Sequence, residues 1–256
     1  MAVTSSIPGI YESVAETIPQ PELLFFNYGF WQPGLDDSWI HPAHLRYRHH
    51  LNLVKHVLTG VDLRGKAVVE IGCGRGGNSC YLAQYSDAAR VVGLDTCMPN
   101  LALARQNSDL QGVEFIAGDA QQLPLADSSF DIVLNLESAH CYARFDAFVN
   151  DVARVLKKSG IFCFADLWNV DGLDLDWQDR EQTLRSSILE IIDEEDISEQ
   201  VFQAMGVSGS ISDQLNALAD SRSRPVIASI NRGVEALRAG LAVGVYSYRL
   251  WKLQKP

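Results

Sequence analysis

From Ala67 onward the chain alternates short β-branched and aliphatic runs with stretches whose apolar positions recur three and four residues apart. The runs are AVVEIG, RVVGLD, VEFIAGD, FDIVLNLE and GIFCFADLW; the stretches between them include NSCYLAQYS, NLALARQNS and FDAFVNDVARVLKKSG. Apolar runs of this length predict strands, and three-and-four spacing predicts amphipathic helices. Strands that alternate with helices need crossover connections, which make the strands parallel and cover both faces of the sheet. The expected class is α/β, with a doubly wound, mostly parallel sheet. Pro99 starts the second of these helices, and Ser159-Gly160 after Lys157 and Lys158 is expected to close the one before GIFCFADLW.

Residues 1–64 show no strand alternation and carry two aromatic clusters, LLFFNYGFW and HPAHLRYRHHLNLVKHVL, the second with helical spacing. They are read as an N-terminal helical cap. After Trp168, REQTLRSSI reads as a helix, LEIIDEED as a possible sixth strand, residues 197–240 as mostly helical, and LAVGVYSYRLW as a last strand. The expected organisation is a cap over 1–64, a seven-stranded Rossmann-like core over 65–196 completed by a final strand within 241–256, and a helical lid over 197–240 inserted before that strand.

A hydrophobic fraction of 47% over 256 residues supports a compact core and argues against disorder. The formal net charge of -11 disfavours phosphate backbones and anionic lipid, so no nucleic-acid partner is expected. The one basic cluster, HLRYRHHLNLVKH, is read as a solvated helix face. Five cysteines, an odd number without a CxxC pair, read as reduced thiols. No basic-then-apolar leader and no run of membrane-spanning length is apparent, which gives a cytoplasmic expectation. His41, His44, His49, His50 and His56 match no metal-ligand spacing, and no metal is expected.

The chemistry concentrates in VVEIGCGRGGNS. Gly72, Gly74, Gly76 and Gly77 follow a strand and precede a helix, where glycine lets the backbone turn sharply and approach a ligand. Gly72, Gly74 and Gly77 also fit the GxGxxG dinucleotide fingerprint, so this loop alone leaves two ligand classes open. Asp95 ends the second strand, where a carboxylate can accept bonds from both ribose hydroxyls; a dehydrogenase would place one there too. Asp119 ends the third strand, so a second acid reaches the same edge, within range of an adenine amino group and beside Ala120. A nicotinamide enzyme has no routine need of it.

The segments VVEIGCGRGG, VVGLD, GDAQQLPLADSSFDIVLNLE and VLKKSGIFCFADL resemble the successive motifs of class I S-adenosylmethionine (SAM)-dependent methyltransferases, over roughly residues 64–168. NLESAHCY, FFNYGFW and NRGVEALRAGLAVGVYSYRLW are similar to bacterial natural-product and lipid O-methyltransferases, the group acting on phthiotriolone-type lipids, polyketides and sugars. The resemblance implies SAM as cofactor and S-adenosylhomocysteine (SAH) as product. It implies that Gly72, Cys73 and Gly74 line the methionine moiety, that Asp95 with Thr96 meets the ribose, that Asp119 and Ala120 frame adenine, and that Asn135 faces the amino-acid end. Glu70 steadies the glycine loop or the cofactor ammonium, and Tyr28 is singled out because related enzymes place an aromatic residue near the methionine.

An oxygen acceptor is a poor nucleophile while protonated, a phenol titrating near about 10, so a base is expected beside it. His140 follows the fourth strand and Asp166 ends the fifth, side by side at the carboxyl edge where ligands collect in such sheets. A histidine oriented by a carboxylate suits proton removal, and related enzymes carry a similar histidine after the fourth strand. Trp31, Tyr142 and Trp168 are candidate walls for a small apolar acceptor. Three alternatives remain: methylation of nitrogen or carbon, a methyltransferase-fold cyclase or binding protein that holds SAM without methyl transfer, and a nicotinamide dehydrogenase.

Overall fold

The structure, a computed structural model, describes residues 7–20, 22–107, 110–169 and 175–256. Its seven strands are β1 (Ala67–Ile71), β2 (Arg90–Asp95), β3 (Val113–Ala117), β4 (Phe130–Leu136), β5 (Leu156–Asn169), β6 (Glu190–Asp196) and β7 (Tyr246–Gln254). They form one sheet in the order β3-β2-β1-β4-β5-β7-β6. The first five are parallel, and β7 runs antiparallel to both of its neighbours. The doubly wound, mostly parallel expectation is met, with an antiparallel flank added by the last strand.

Alternation along the strands divides the core in two. Val68, Ile132 and Cys163 face one side; Val69, Val133, Phe162 and Phe164 face the other. On the second side α5 (Phe145–Val155) buries Phe145, Phe148, Val149, Val152 and Ala153, the i, i+3, i+4, i+7, i+8 stripe of an amphipathic helix. The remaining helices are α1 (Ile7–Thr17), α2 (Arg48–Val57), α3 (Gly77–Tyr85), α4 (Met98–Ala104), α6 (Leu175–Ser186), α7 (Ser198–Gly206), α8 (Ile211–Ala217) and α9 (Arg224–Ala242). Leu51 and Val54 of α2, Val201 of α7, Leu215 of α8 and Ile227 of α9 join the first side's core, so the expected cap and lid segments share one interior with the sheet.

Four expectations need correction. The segment carrying Phe25, Phe26, Tyr28, Phe30 and Trp31 is irregular chain rather than helix. Gly29 there has φ +84°, and a Cβ at that position would sit 2.9 Å from His49 Cβ, so the chain is pressed flat against α2. The basic cluster is a solvated face only in part: Arg46 and Lys55 are exposed, but His44, Tyr47, His49 and His50 are buried, because α2 packs on α3 while loops before α8 cover it through Arg48 Nη2 and His49 Nε2 to Ser208 O. Helix α5 stops at Val155, not at Ser159-Gly160, since Leu156 already pairs with Phe130 of β4 and residues 157–160 make a bulge before pairing resumes at Ile161. Helix α9 runs on to Ala242, and Gly244 at φ +75° supplies the turn into β7.

Among the described residues no helix is long and apolar enough to cross a membrane. The five cysteines are free thiols.

Candidate active site

At the carboxyl edge of β1, β2 and β4 lies a cavity of about 340 Å³, walled by the glycine loop, the strand ends and the cap. That volume falls within the range of small-molecule sites. Gly72, Gly74 and Gly76 all have positive φ, at +75°, +53° and +82°. The loop is tied to β2: Gly72 N and Cys73 N donate to Leu94 O at 2.7 and 3.0 Å, and Asp95 accepts from Gly74 N and Cys97 N, each at 2.7 Å. Burial raises the Asp95 carboxyl above its ordinary range. Asp119 Oδ1 accepts from Gln121 N at 2.8 Å and Nε2 at 3.1 Å, with Ala120 buried beside it.

Of the sequence-predicted cofactor residues, Gly72, Cys73, Gly74, Asp95, Thr96, Asp119 and Ala120 line this cavity together. Glu70, Asn135 and Tyr28 do not. Glu70 is buried under the loop, accepting from Asn78 Nδ2 at 2.8 Å and Ser79 Oγ at 2.5 Å, and burial pushes its carboxyl up to about 8. Asn135 bridges β1 and the turn after β4, donating to Ile71 O at 2.8 Å and Tyr142 Oη at 3.1 Å. Tyr28 contributes its backbone N–H, which donates to Glu137 Oε1 at 2.9 Å; its phenol is raised by burial and by Glu137.

Sequence reasoning missed a buried relay through the cap. Asn78, which bonds Glu70, accepts from Asn27 Nδ2 at 2.8 Å; Asn27 O and Oδ1 lie 2.7 and 2.9 Å from His50 Nδ1. His50 Nε2 meets Gln214 of α8. Burial pulls the His50 imidazole down to about 3, so it is neutral throughout the physiological range. Arg75, in the glycine loop and 1% exposed, clasps the cap through Val14 O and Gln20 O, both at 3.3 Å, and α4 through Asn100 Oδ1 at 3.1 Å. Arg75→Met strands those three acceptors, and the expected loss is on the order of 3 kcal/mol, read as a lower denaturant midpoint with unchanged slope.

His140 and Asp166 meet as expected. His140 Nδ1 lies 2.8 Å from Asp166 Oδ1, and His140 N donates to Oδ2 at 3.0 Å. Asp166 is fully buried and also accepts from Leu167 N at 2.8 Å. Burial alone would lower the imidazole, but the Asp166 charge and hydrogen bond, with Cys141, outweigh it and push His140 up to about 11. The short 3-10 turn Ala139–Cys141 that carries His140 is pinned by buried Arg180 of α6, which donates to Ala139 O at 2.5 Å and Tyr142 O at 3.0 Å. His140 stands beside the cavity, whose wall includes Glu137, Ser138, Cys141 and Tyr142 of the same turn.

Of the three acceptor-wall candidates only Tyr142 reaches the cavity, its hydroxyl 2.7 Å from Ser138 Oγ. Trp31 instead docks the cap on α7 by donating from its backbone to Gln200 O at 3.2 Å. Trp168 is covered by Trp177 and Trp251, with ring centroids at 4.9 and 5.9 Å, and lies away from the cleft. Phe25 and Phe26 of the cap's aromatic run do line the cavity, and so do Tyr11 and Glu137, which were not singled out from sequence. The five cap histidines serve separate contacts, such as His44 with Tyr85 Oη at 2.6 Å and His56 with Glu195 at 2.9 Å. No cluster of three or more metal-ligating side chains occurs among the described residues.

Among the described residues four carboxylates line the cavity, Glu12, Asp95, Asp119 and Glu137, and no Lys or Arg does. A dinucleotide pyrophosphate would meet only repulsion from these side chains, whereas a cationic nucleoside suits them. Asp95 and Asp119 have no ion-pair partner among the described residues, and their remaining lone pairs are free for hydroxyl or amino donors. SAM, a nucleoside with a sulfonium and an ammonium group, fits this donor set. Fold and cleft together define a doubly wound nucleoside-binding domain with an acidic site.

A family model described as a methyltransferase domain matches residues 69–164. The chain is 32% identical over 198 residues to a probable phthiotriol/phenolphthiotriol dimycocerosates methyltransferase 2 of Mycobacterium ulcerans (strain Agy99), covering 77% of this chain and 75% of that protein. It is 37% identical over 157 residues to the phthiotriol/phenolphthiotriol dimycocerosates methyltransferase of Mycobacterium tuberculosis (strain ATCC 25618 / H37Rv), where the match takes in 61% of this chain but only 58% of that protein's length. In three dimensions it is similar to the [4+2]-cyclase SpnF, with a TM-score of 0.72 at 19% identity over 98% of this chain and 95% of that one, a likeness of fold. The chain belongs to the class I SAM-dependent methyltransferase family.

Proposed function

We propose that the protein transfers a methyl group from SAM to a hydroxyl oxygen of a small, largely apolar acceptor, with His140 as the base. The acid-lined cleft without a basic side chain carries the cofactor half of this reading. The His140–Asp166 pair beside it carries the other half. When bound, SAM supplies a sulfonium-activated methyl group, so the chain's own residues are left to align, exclude water and move one proton. Gly72 to Gly74 hold the methionine end, Asp95 and Thr96 the ribose, and Asp119 and Ala120 the adenine. Asp166 fixes the His140 ring through Nδ1, which leaves Nε2 as the nitrogen that takes the acceptor proton.

The raised imidazole sets the pH dependence. Below a pKa of about 11 most His140 is imidazolium, and the fraction able to accept a proton grows tenfold with each pH unit. With a hydroxyl acceptor, log kcat/KM is therefore expected to rise with a slope of about one between pH 6.5 and 9. A second reading follows from the same ion pair: an imidazolium can hold an acceptor that is already anionic, a carboxylate, and such a reaction has a flat profile.

The test is transfer of label from methyl-labelled SAM to long-chain alcohols, phenols and fatty acids across that pH range, with mass analysis of the product. Label on nitrogen or carbon, or bound cofactor that no acceptor consumes, would replace both readings with the alternatives kept from sequence.

A further inference from the structure

Glu137 is a carboxylate of the cleft to which the proposed reaction gives no role. It follows β4 directly and has φ +48°, a left-handed conformation that a side chain other than glycine rarely adopts and that gathers at functional sites. Its carboxyl is anchored from two directions through one oxygen: Tyr28 N of the cap and Tyr248 Oη of β7 both donate to Oε1 at 2.9 Å. Among the described residues Oε2 accepts no hydrogen bond and no Lys or Arg pairs with the group, yet the side chain lines the cavity.

A purely structural role does not need the acid. Glutamine would accept the same two bonds through its amide oxygen without placing an ionisable group in a confined site. The cleft's other acids are committed or placed elsewhere: both Asp95 oxygens accept N–H groups, Asp119 lies past the end of β3 at Ala117, and Glu12 of α1 is exposed. Glu137 is at the opposite end, because a Cβ on Gly72 would collide with Ser138, the next residue along. On the proposed reading that is the methionine end.

We propose that Glu137 is the residue that distinguishes the charged donor SAM from the spent product SAH, its uncommitted oxygen facing the sulfonium. Loss of the methyl group removes the cation, so the same carboxyl that favours SAM gives the product no advantage and promotes its release. The inference rests on the SAM-site reading above.

The carboxyl must be ionised to act in this way. Burial, Asp166 and the tyrosines Tyr11, Tyr28 and Tyr248 surround it, with His140 and Cys141 on its own turn, and its pKa is pushed up to about 8 mainly by burial. A neighbouring cation draws it back down, and at pH 9 the group is ionised in the empty cleft as well.

Dissociation constants for SAM, SAH and the ammonium analogue sinefungin, measured by calorimetry at pH 9 on Glu137→Gln and the parent, test the assignment. The expected result is a loss of about tenfold for SAM and sinefungin with SAH within twofold, the size of one charge-assisted contact. Tyr248→Phe, which removes one anchor and keeps the acid, is expected to move the SAM-to-SAH ratio the same way by a smaller factor. Parallel weakening of all three ligands, or no change in any, in a Glu137→Gln protein that melts like the parent overturns the proposal. Absence of heat with every ligand in the parent overturns the SAM-site reading instead.

Discussion

His140→Ala is expected to lower kcat with a hydroxyl acceptor by about 10²–10⁴-fold, the usual worth of a positioned base. Dissociation constants for SAM and SAH should stay within about twofold, because the proposed cofactor walls at Gly72 to Gly74, Asp95 and Asp119 do not include His140. The substitution also leaves Asp166, fully buried, without its ring partner. Two backbone donors remain on that carboxylate, His140 N and Leu167 N, so the melting temperature should fall modestly rather than collapse. Steady-state kinetics beside calorimetry separate the two effects: parental turnover at every pH would remove His140 from the chemistry. The residual rate should also lose the rising pH profile, since the titrating group is gone.

Gly72→Ala is expected to be among the most damaging changes of a single methyl group in the core. The new Cβ would overlap Ser138 Oγ and Cβ and come within 2.9 Å of Tyr142 Oη, at a residue whose φ is +75°. Left-handed backbone costs an alanine about 1–2 kcal/mol, and forcing a methyl into packed atoms costs roughly 1–3 kcal/mol more. A loss of about 2–5 kcal/mol corresponds to a fall in Tm of roughly 4–20 °C for a chain of this size. SAM affinity should fall as well, because Ser138 and Tyr142 are walls of the cleft and must be displaced. Gly65→Ala is the control: its φ is +69°, but a Cβ there meets nothing within 4 Å, so only the backbone part of the loss applies. Equal melting temperatures for the two variants would show that the close approach of β1 to the turn after β4 carries no weight.

The core strands were legible because their apolar runs are short, β-branched and bounded by glycine or aspartate. The Asp95 position followed, since a strand end in a parallel sheet fixes where its last side chain goes; Asp119, read as the end of the third strand, lies past the end of β3 at Ala117 and lines the same cavity. What failed was whatever depends on packing between distant segments. The FFNYGFW stretch has no period of its own, and its irregular path is set by Gly29 against His49. Tyr11 lines the cleft from α1 and Tyr28 does not, a choice between two tyrosines that composition cannot make. Trp168 lies within β5 rather than past its end, and the rings of Trp177 and Trp251, from α6 and β7, cover it. Glu137 was visible as an acid after a strand, but its left-handed backbone and its anchors at Tyr28 and Tyr248 emerge only from the folded chain.

The position of β7 between β5 and β6 bears on how the molecule is made. Until residues 246–254 leave the ribosome, β5 has an open edge, β6 has no neighbour, and the sites of Tyr248, Leu250, Trp251 and Leu253, all fully buried in the finished molecule, are empty. A chain stopped before Tyr246 would keep its glycine loop, Asp95 and Asp119 while lacking the phenol that steadies Glu137. Completion of the sheet, and of the anchor on Glu137, therefore waits on residues 246–254, long after the glycine loop has been made.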